Sequence, residues 1–278
     1  MKKTLLLLVI CLLLCPLLAM AEEPSVLDLD AAGLCLSTGA EVESYLSQNP
    51  DAQEVLLYNS TLPREDMERL FDTYPQVFFG FTIRFATHTV RTDATAFSTL
   101  HWANITDPRD RYHTSDELSI LRLCTRLKAL DLGHNKLTDL SFLSDLTDLR
   151  VLILSPNYSL RDLSPLAPLT KLEYLEAFST DATEVTALAG LTELRDLNLS
   201  CNDMLRDITC LYGLPKLERF WCGETPIPAA QQKAMEESHP DCQYVWRGQP
   251  TTGGWRKHPR YDVIQQMFSG SQYIPFPD

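Results

Sequence analysis

LKALDLGHNKLTDLSFLSDLTD (127–148), LRVLILSPNYSLRDLSPLAPLTK (149–171), LEYLEAFSTDATEVTALAGLTE (172–193) and LRDLNLSCNDMLRDITCLYGLPK (194–216) follow one another without a gap. Aligned, the four follow LxxLxLxxN, with Ala177 and Thr180 in place of the third Leu and the Asn in the third copy, then an acidic residue, an aliphatic one and a Ser or Thr. A fifth, degenerate copy opens at Leu217, so the period runs 22, 23, 22 and 23 residues. The LxL alternation is a strand signal, whereas the later Leu-x-x-Leu spacing, as in Leu140, Leu143 and Leu146, is turn-like or helical. Each copy therefore reads as one coil, a strand followed by a return turn. No single coil can bury its apolar edge alone, and stacking on the next supplies the missing wall.

In register, Leu130 and Leu132, Leu152 and Leu154, Leu175 and Ala177, and Leu197 and Leu199 point inward, because alternate strand residues face opposite sides. The ninth position holds Asn135, Asn157, Thr180, Asn202 and Thr225. An amide or hydroxyl there can bond the backbone groups that the turn out of the strand leaves unpaired. Ser141, Ser164, Thr186 and Thr209 read as N-caps of a short helix or 3₁₀ turn on the convex side. The expected fold is an α/β solenoid, a right-handed superhelix with a parallel concave sheet.

Working outward, Leu118, Leu121 and Cys124 repeat the positions of Leu140, Leu143 and Leu146, so the array begins before its motif. Further back, Leu34–Leu36, Val55–Leu57 and Val77–Phe79 are strand-like triplets spaced 21 and 22 residues apart. Residues 64–74 read as a helix that starts after Pro63. Phe79–Phe85 and His88–Arg91 read as a hairpin turning at Ala86 and Thr87, and 106–114 as a surface loop. Residues 22–126 thus form an N-terminal half with degenerate repeats and an inserted hairpin, and 127–228 carry the clear repeats. Residues 229–278 form a cap and tail: a helix at 229–238, a last strand at 242–246, then Tyr261, Ile264, Met267 and Phe268 on one helical face, expected to fold back on the last repeat, with a partner-binding tail as the alternative.

Residues 1–21 combine two lysines, an apolar run from Leu5 and an Ala19-Met20-Ala21 site, the make-up of a bacterial-type export signal. The apolar run is shorter than the ~20 residues a spanning helix needs. Lipidation would require a small residue before Cys11 or Cys15, where Ile10 and Leu14 stand. Cleavage after Ala21 would place the chain outside the cytoplasm, secreted or at the cell surface, with no integral span left. It would remove Lys2 and Lys3, leaving 22 basic against 37 acidic residues, a net −15. That charge disfavours a nucleic-acid partner. Six cysteines would remain: Cys35, Cys124, Cys201, Cys210, Cys222 and Cys242. Their 15 connectivities cannot be ranked from sequence, although register makes Cys124 and Cys222 small core residues.

On these motifs the chain resembles the leucine-rich repeat superfamily, and its 22-residue units with short convex turns are similar to the internalin-like bacterial members. The resemblance implies a curved solenoid that binds a protein, or less often a glycan, on its concave sheet, with no cofactor and no chemistry. The sequence shows no nucleophile elbow, HExxH, P-loop or dinucleotide-binding glycine pattern, and no His/Cys spacing suited to zinc. Catalytic, cofactor and metal sites are therefore not expected. His134 and Cys201 both fall on the concave side, but with two repeats between them. An enzyme with its site in the N-terminal half and a self-assembling surface protein are the alternatives.

The strand positions that face outward include Asp131, His134, Ile153, Tyr174, Glu176, Phe178, Asp196, Asn198, Arg219, Trp221 and Glu224. An outward stripe with no task should be small and polar. Ile153, Tyr174, Phe178 and Trp221 depart from that, ringed by Asp131, Glu176, Asp196 and Glu224. Aromatic groups among charges are the composition of a recognition patch. The competing explanation is that scattered apolar surface residues need none, or that the tail covers Trp221.

Overall fold

The computed structural model describes residues 25–100 and 112–277. The expected export signal and most of the expected loop 106–114 lie outside them. Strand and helix alternate from the start: β1 (Val26–Asp28), α1 (Gly39–Gln48), β2 (Glu54–Leu56), α2 (Arg64–Thr73) and β3 (Phe78–Gly80) give a three-stranded parallel sheet in the order β1-β2-β3. Thr38 caps α1, its hydroxyl accepting from the Glu41 amide while the Glu41 carboxylate accepts from the Thr38 amide. The expected hairpin follows as β4 (Thr82–Phe85) and β5 (His88–Arg91), antiparallel, with Ala86 at φ 47° in its turn.

The first strand was expected at Leu34–Leu36 and lies instead at Val26–Asp28. Val26 to Leu29 has the alternation, and the chain then turns through Gly33 at φ 72° before it enters α1. Leu36 still serves the core, 7% exposed, but from a connecting segment.

After β6 (Ala96–Ser98) and α3 (Ser115–Leu118) come the regular repeats. Their strands are β7 (Ala129–Asp131), β8 (Val151–Ile153), β9 (Tyr174–Glu176), β10 (Asp196–Asn198) and β11 (Arg219–Trp221). The helix α4 (Ala229–Ser238) and the strand β12 (Gln243–Val245) close the open end. Strands β6 to β12 form one seven-stranded parallel sheet in chain order. The inward residues Leu130, Leu152, Leu175, Leu197 and Phe220 pair across it in register and are fully buried. Short 3₁₀ turns at Ser141–Asp145, Ser164–Leu166, Thr186–Gly190 and Thr209–Gly213 line the convex side. They seat Leu143, Leu166, Leu188 and Leu211 in the same core, which also takes in Val42, Val55 and Leu70 of the N-terminal half.

The ninth-position amides do what the turn requires. Asn202 Nδ2 donates to the carbonyls of Leu199 (2.9 Å) and Ala177 (2.8 Å), and its Oδ1 accepts from the amides of Thr180 and Ala182. Asn157 and Asn135 make equivalent bonds two and three coils away. The expected Ser and Thr N-caps are corrected by one step. No side chain of the residue before these turns makes a cap bond. The acidic residue two positions before the Ser or Thr accepts from its amide instead: Asp139, Asp162 and Asp207 do so for Ser141, Ser164 and Thr209. A carboxylate accepts a backbone N–H more strongly than a hydroxyl does, and these bonds hold Asp162 and Asp207 below the usual carboxylate range.

The tail departs from expectation. Beyond Arg247 it turns through Gly248, Gly253 and Gly254, all at positive φ, and forms α5 (Pro259–Gly270). The helix packs against β6 and β7, at the far end of the sheet from the last repeat.

Candidate functional site

Parallel strands in register place equivalent outward residues in rows about 4.8 Å apart. One row reads Ala96, Ala129, Val151, Tyr174, Asp196, Arg219 and Gln243, and its neighbour Ser98, Asp131, Ile153, Glu176, Asn198, Trp221 and Val245. These residues share one side of the sheet, opposite the repeat core, but they do not meet solvent. Asp131, Ile153, Tyr174, Glu176, Asp196, Asn198, Arg219 and Trp221 are all at most 4% exposed. What covers them is the chain's own C-terminal segment, residues 247–277.

The cover is held in two ways. Trp255, Tyr261, Ile264, Met267, Phe268 and Phe276 form a second apolar cluster with Ala129, Val151, Ile153, Tyr174 and Trp221. The Trp255 ring stands 5.1 Å from that of Trp221 and 5.4 Å from that of Tyr174, tilted against both. Polar contacts fix the register of the segment. Glu176 Oε1 accepts from Trp255 Nε1 (2.7 Å) and from the Tyr174 hydroxyl, while Oε2 accepts from Arg256 Nη2 (2.8 Å). Asp196 Oδ2 accepts from Arg260 Nη1 (2.8 Å), and Arg260 also pairs with Glu218. Three side chains of the sheet donate to main-chain carbonyls of the segment: Asn198 to Pro250, Trp221 Nε1 to Thr252 and Arg219 Nη2 to Trp255.

The electrostatics of the rows are uneven. Asp196 is raised above the usual carboxylate range by burial, despite Arg219 and Arg260 beside it. Its Oδ1 lies 3.4 Å from Arg219 Nη1, an ion pair by distance but without hydrogen-bond geometry. Asp131 accepts from the Gly133 amide (2.9 Å) and the Ser98 hydroxyl (3.1 Å). Burial, reinforced by the Glu176 charge, pushes it up to about 6. His258, at the start of α5, is held below its ordinary value by burial and by Arg219.

Of the other expected site residues, His134 and Glu224 are exposed and Phe178 is half-buried. They line the rim where each coil leaves the sheet. His134, Ser179, Cys201 and Glu224, all at the eighth position, share a left-handed φ between 52° and 59°. The Glu224 carboxylate accepts from the Gly248 amide at 3.0 Å and so anchors the start of the covering segment. Cys201 is half-buried and its thiol is pushed up by burial, the opposite of an activated nucleophile. The six cysteines among the described residues form no disulfide, and Cys124 and Cys222 are buried in the core as their register predicts. Among the described residues no group of three or more His, Cys, Asp or Glu is placed to hold a metal ion. No described helix is long and apolar enough to cross a membrane.

The residues missed from sequence are Trp255, Arg256 and Arg260. Their signal was present as three basic residues, Arg256, Lys257 and Arg260, beside a Trp in an otherwise acidic chain.

With this geometry in view, comparisons place the repeats. The family of Leucine Rich repeats (2 copies) matches residues 125–168. No curated protein matches the chain. Among solved structures, an internalin (inlF) from Listeria monocytogenes is 19% identical with a TM-score of 0.49, covering 74% of this chain and 64% of its own. Internalin C2 from the same organism is 21% identical, TM-score 0.45, covering 70% and 71%. A leucine-rich repeat protein of Leptospira interrogans is 17% identical, TM-score 0.37, covering 70% and 49%. The chain thus spans less than two thirds of the first internalin's length.

Proposed function

We propose that the chain is an exported, non-enzymatic protein that binds a polypeptide partner through its concave face, a reading supported by the leucine-rich repeat model that matches residues 125–168. One observation carries the reading. The concave rows pair side chains that read main-chain carbonyls, Asn198, Arg219 and Trp221, with carboxylates that read cationic side chains, Glu176 and Asp196. Main-chain clamps with side-chain pockets are the means by which a surface holds a peptide. A glycan supplies neither an amide carbonyl row nor a guanidinium.

Two experiments test this. Export predicts that the chain recovered from culture medium or the cell surface begins at Glu22, and a cytoplasmic chain beginning at Met1 refutes it. For binding, a photo-reactive residue is placed at Phe178 on the concave rim and, separately, at Ser144 on the convex side. A partner adduct from the rim alone is the expected result, and adducts from the convex side alone overturn the concave assignment.

A further inference from the structure

We propose that the concave sheet is a receptor for a cationic, aromatic polypeptide segment, and that residues 247–277 occupy it as a built-in competitor. The inference rests on the concave-binding reading above and names the ligand's chemistry.

The covering segment sits on the solenoid as a ligand does. The repeat core lies entirely on the other side of the sheet and includes no residue beyond Trp246. The covering segment builds its own cluster on the concave side, and the only described residues common to that cluster and the sheet are outward ones. Its link to the body, from Gly248 to Gly254, contains three glycines at φ 95°, 72° and 85°, turns that carry the chain back over the sheet. Its hold is specific: the indole and guanidinium of Trp255 and Arg256 converge on Glu176, and Arg260 reaches Asp196 on the adjacent strand. Buried ion pairs of this kind select a partner more than they add stability, because desolvation offsets most of their attraction.

With the segment lifted, the face presents Glu176 and Asp196 as acceptors and Tyr174 and Trp221 as apolar floor. An occupant must bring an indole or comparable ring, two guanidinium groups four residues apart, and main-chain carbonyls before them that are free to accept. A nucleic acid or an acidic peptide brings the wrong charge. Held in cis, the segment competes at an effective concentration near the millimolar range, so an external ligand meets a site weakened by roughly 100-fold or more.

The test uses the full chain with a protease site inserted between Gly248 and Gln249, cut under native conditions. The probe is a fluorescent peptide of residues 249–278. The expected result is that the probe enters the nicked chain at least ~100-fold more readily than the intact one, while the nicked chain keeps a cooperative melt. A probe carrying Arg256→Glu and Arg260→Glu should fail to compete. The proposal is overturned if the nicked chain unfolds as the fragment leaves, if the fragment does not exchange over days, or if the charge-reversed probe exchanges equally well. Exchange is read with peptide alone. It therefore stands or falls separately from partner crosslinking at Phe178, which tests the broader reading.

Discussion

Replacing Asp131 with asparagine should stabilise the protein at neutral pH and leave it nearly unchanged at pH 4. Asp131 is 1% exposed, lies on β7 beneath α5, and accepts only neutral hydrogen bonds from Gly133 and Ser98. Burial, with the Glu176 charge behind it, raises it from the ordinary 3.8 to about 6. Below pH 3.8 the group is neutral in folded and unfolded chains alike, and its contribution is fully retained. As pH rises toward 6 the unfolded chain releases a proton that the folded chain keeps. Stability therefore falls through that window and stays low above it. The interval corresponds to about 3 kcal/mol, at about 1.4 kcal/mol per pH step of one. Asparagine copies the shape of the neutral acid and does not titrate. Urea unfolding of both chains at pH 4, 5, 6 and 7.5 should give a stability difference that grows by about 3 kcal/mol across the series and is flat beyond pH 6.5. Working with the difference cancels the carboxylates that do not act on Asp131, such as Asp196. A difference that does not change with pH, or that shrinks as pH rises, refutes the account of Asp131 as a carboxylate whose burial outweighs the Arg256 charge near it.

Other consequences are simpler to state. Asn202→Ala removes bonds to four backbone groups around Leu199, Ala177, Thr180 and Ala182. Each buried group left unpaired costs about 1–3 kcal/mol, so a loss of at least about 3 kcal/mol in urea unfolding is expected. Lys216→Ala breaks only the pair with Glu193, whose side chains are 52% and 42% exposed, and should change stability by no more than about 0.5 kcal/mol. Gly223→Ala would set a Cβ 2.3 Å from the Gly248 carbonyl oxygen, a backbone atom. The linker must give way, so limited proteolysis should cut between residues 247 and 252 faster than in the parent, with a loss of about 1–3 kcal/mol.

The repeat body was legible because its signals are local. A two-residue alternation names the strand, the ninth position names the turn, and a period of 22 to 23 stacks them without further instruction. Cys124 and Cys222 could be placed in the core from register alone, and both are fully buried. Where competing local signals coexist, the reading slipped. Leu34-Cys35-Leu36 has the same apolar spacing as Val26 to Leu29, and only the turn at Gly33, a requirement of the folded backbone, separates connector from strand. The Ser or Thr at each convex turn offered a cap, but in the second and fourth copies the bond formed runs from its own amide to an Asp two residues earlier, whose charge makes it the stronger acceptor.

The covered face was legible only at Trp221, where the tail was weighed as a cover, and the rest was hidden for a different reason. The bond from Trp255 to Glu176 joins residues 79 apart in sequence, and no periodicity links them. Sequence reading found each side separately, an aromatic and acidic stripe on the sheet and an apolar helical face in the tail. Each surface alone looks like a site for something else. Two surfaces of one chain that both read as binding sites, one acidic with aromatics and one basic with aromatics, are complementary, and effective concentration favours their meeting before any outside partner does. The same argument explains why Tyr174 and Trp221 are tolerated on an outward stripe. A ring whose hydroxyl or indole N–H needs a buried partner finds one only when the stripe is covered, as Tyr174 does at Glu176 and Trp221 at the Thr252 carbonyl. The stripe is therefore built for the occupied state, and any external ligand has to replace those contacts in kind.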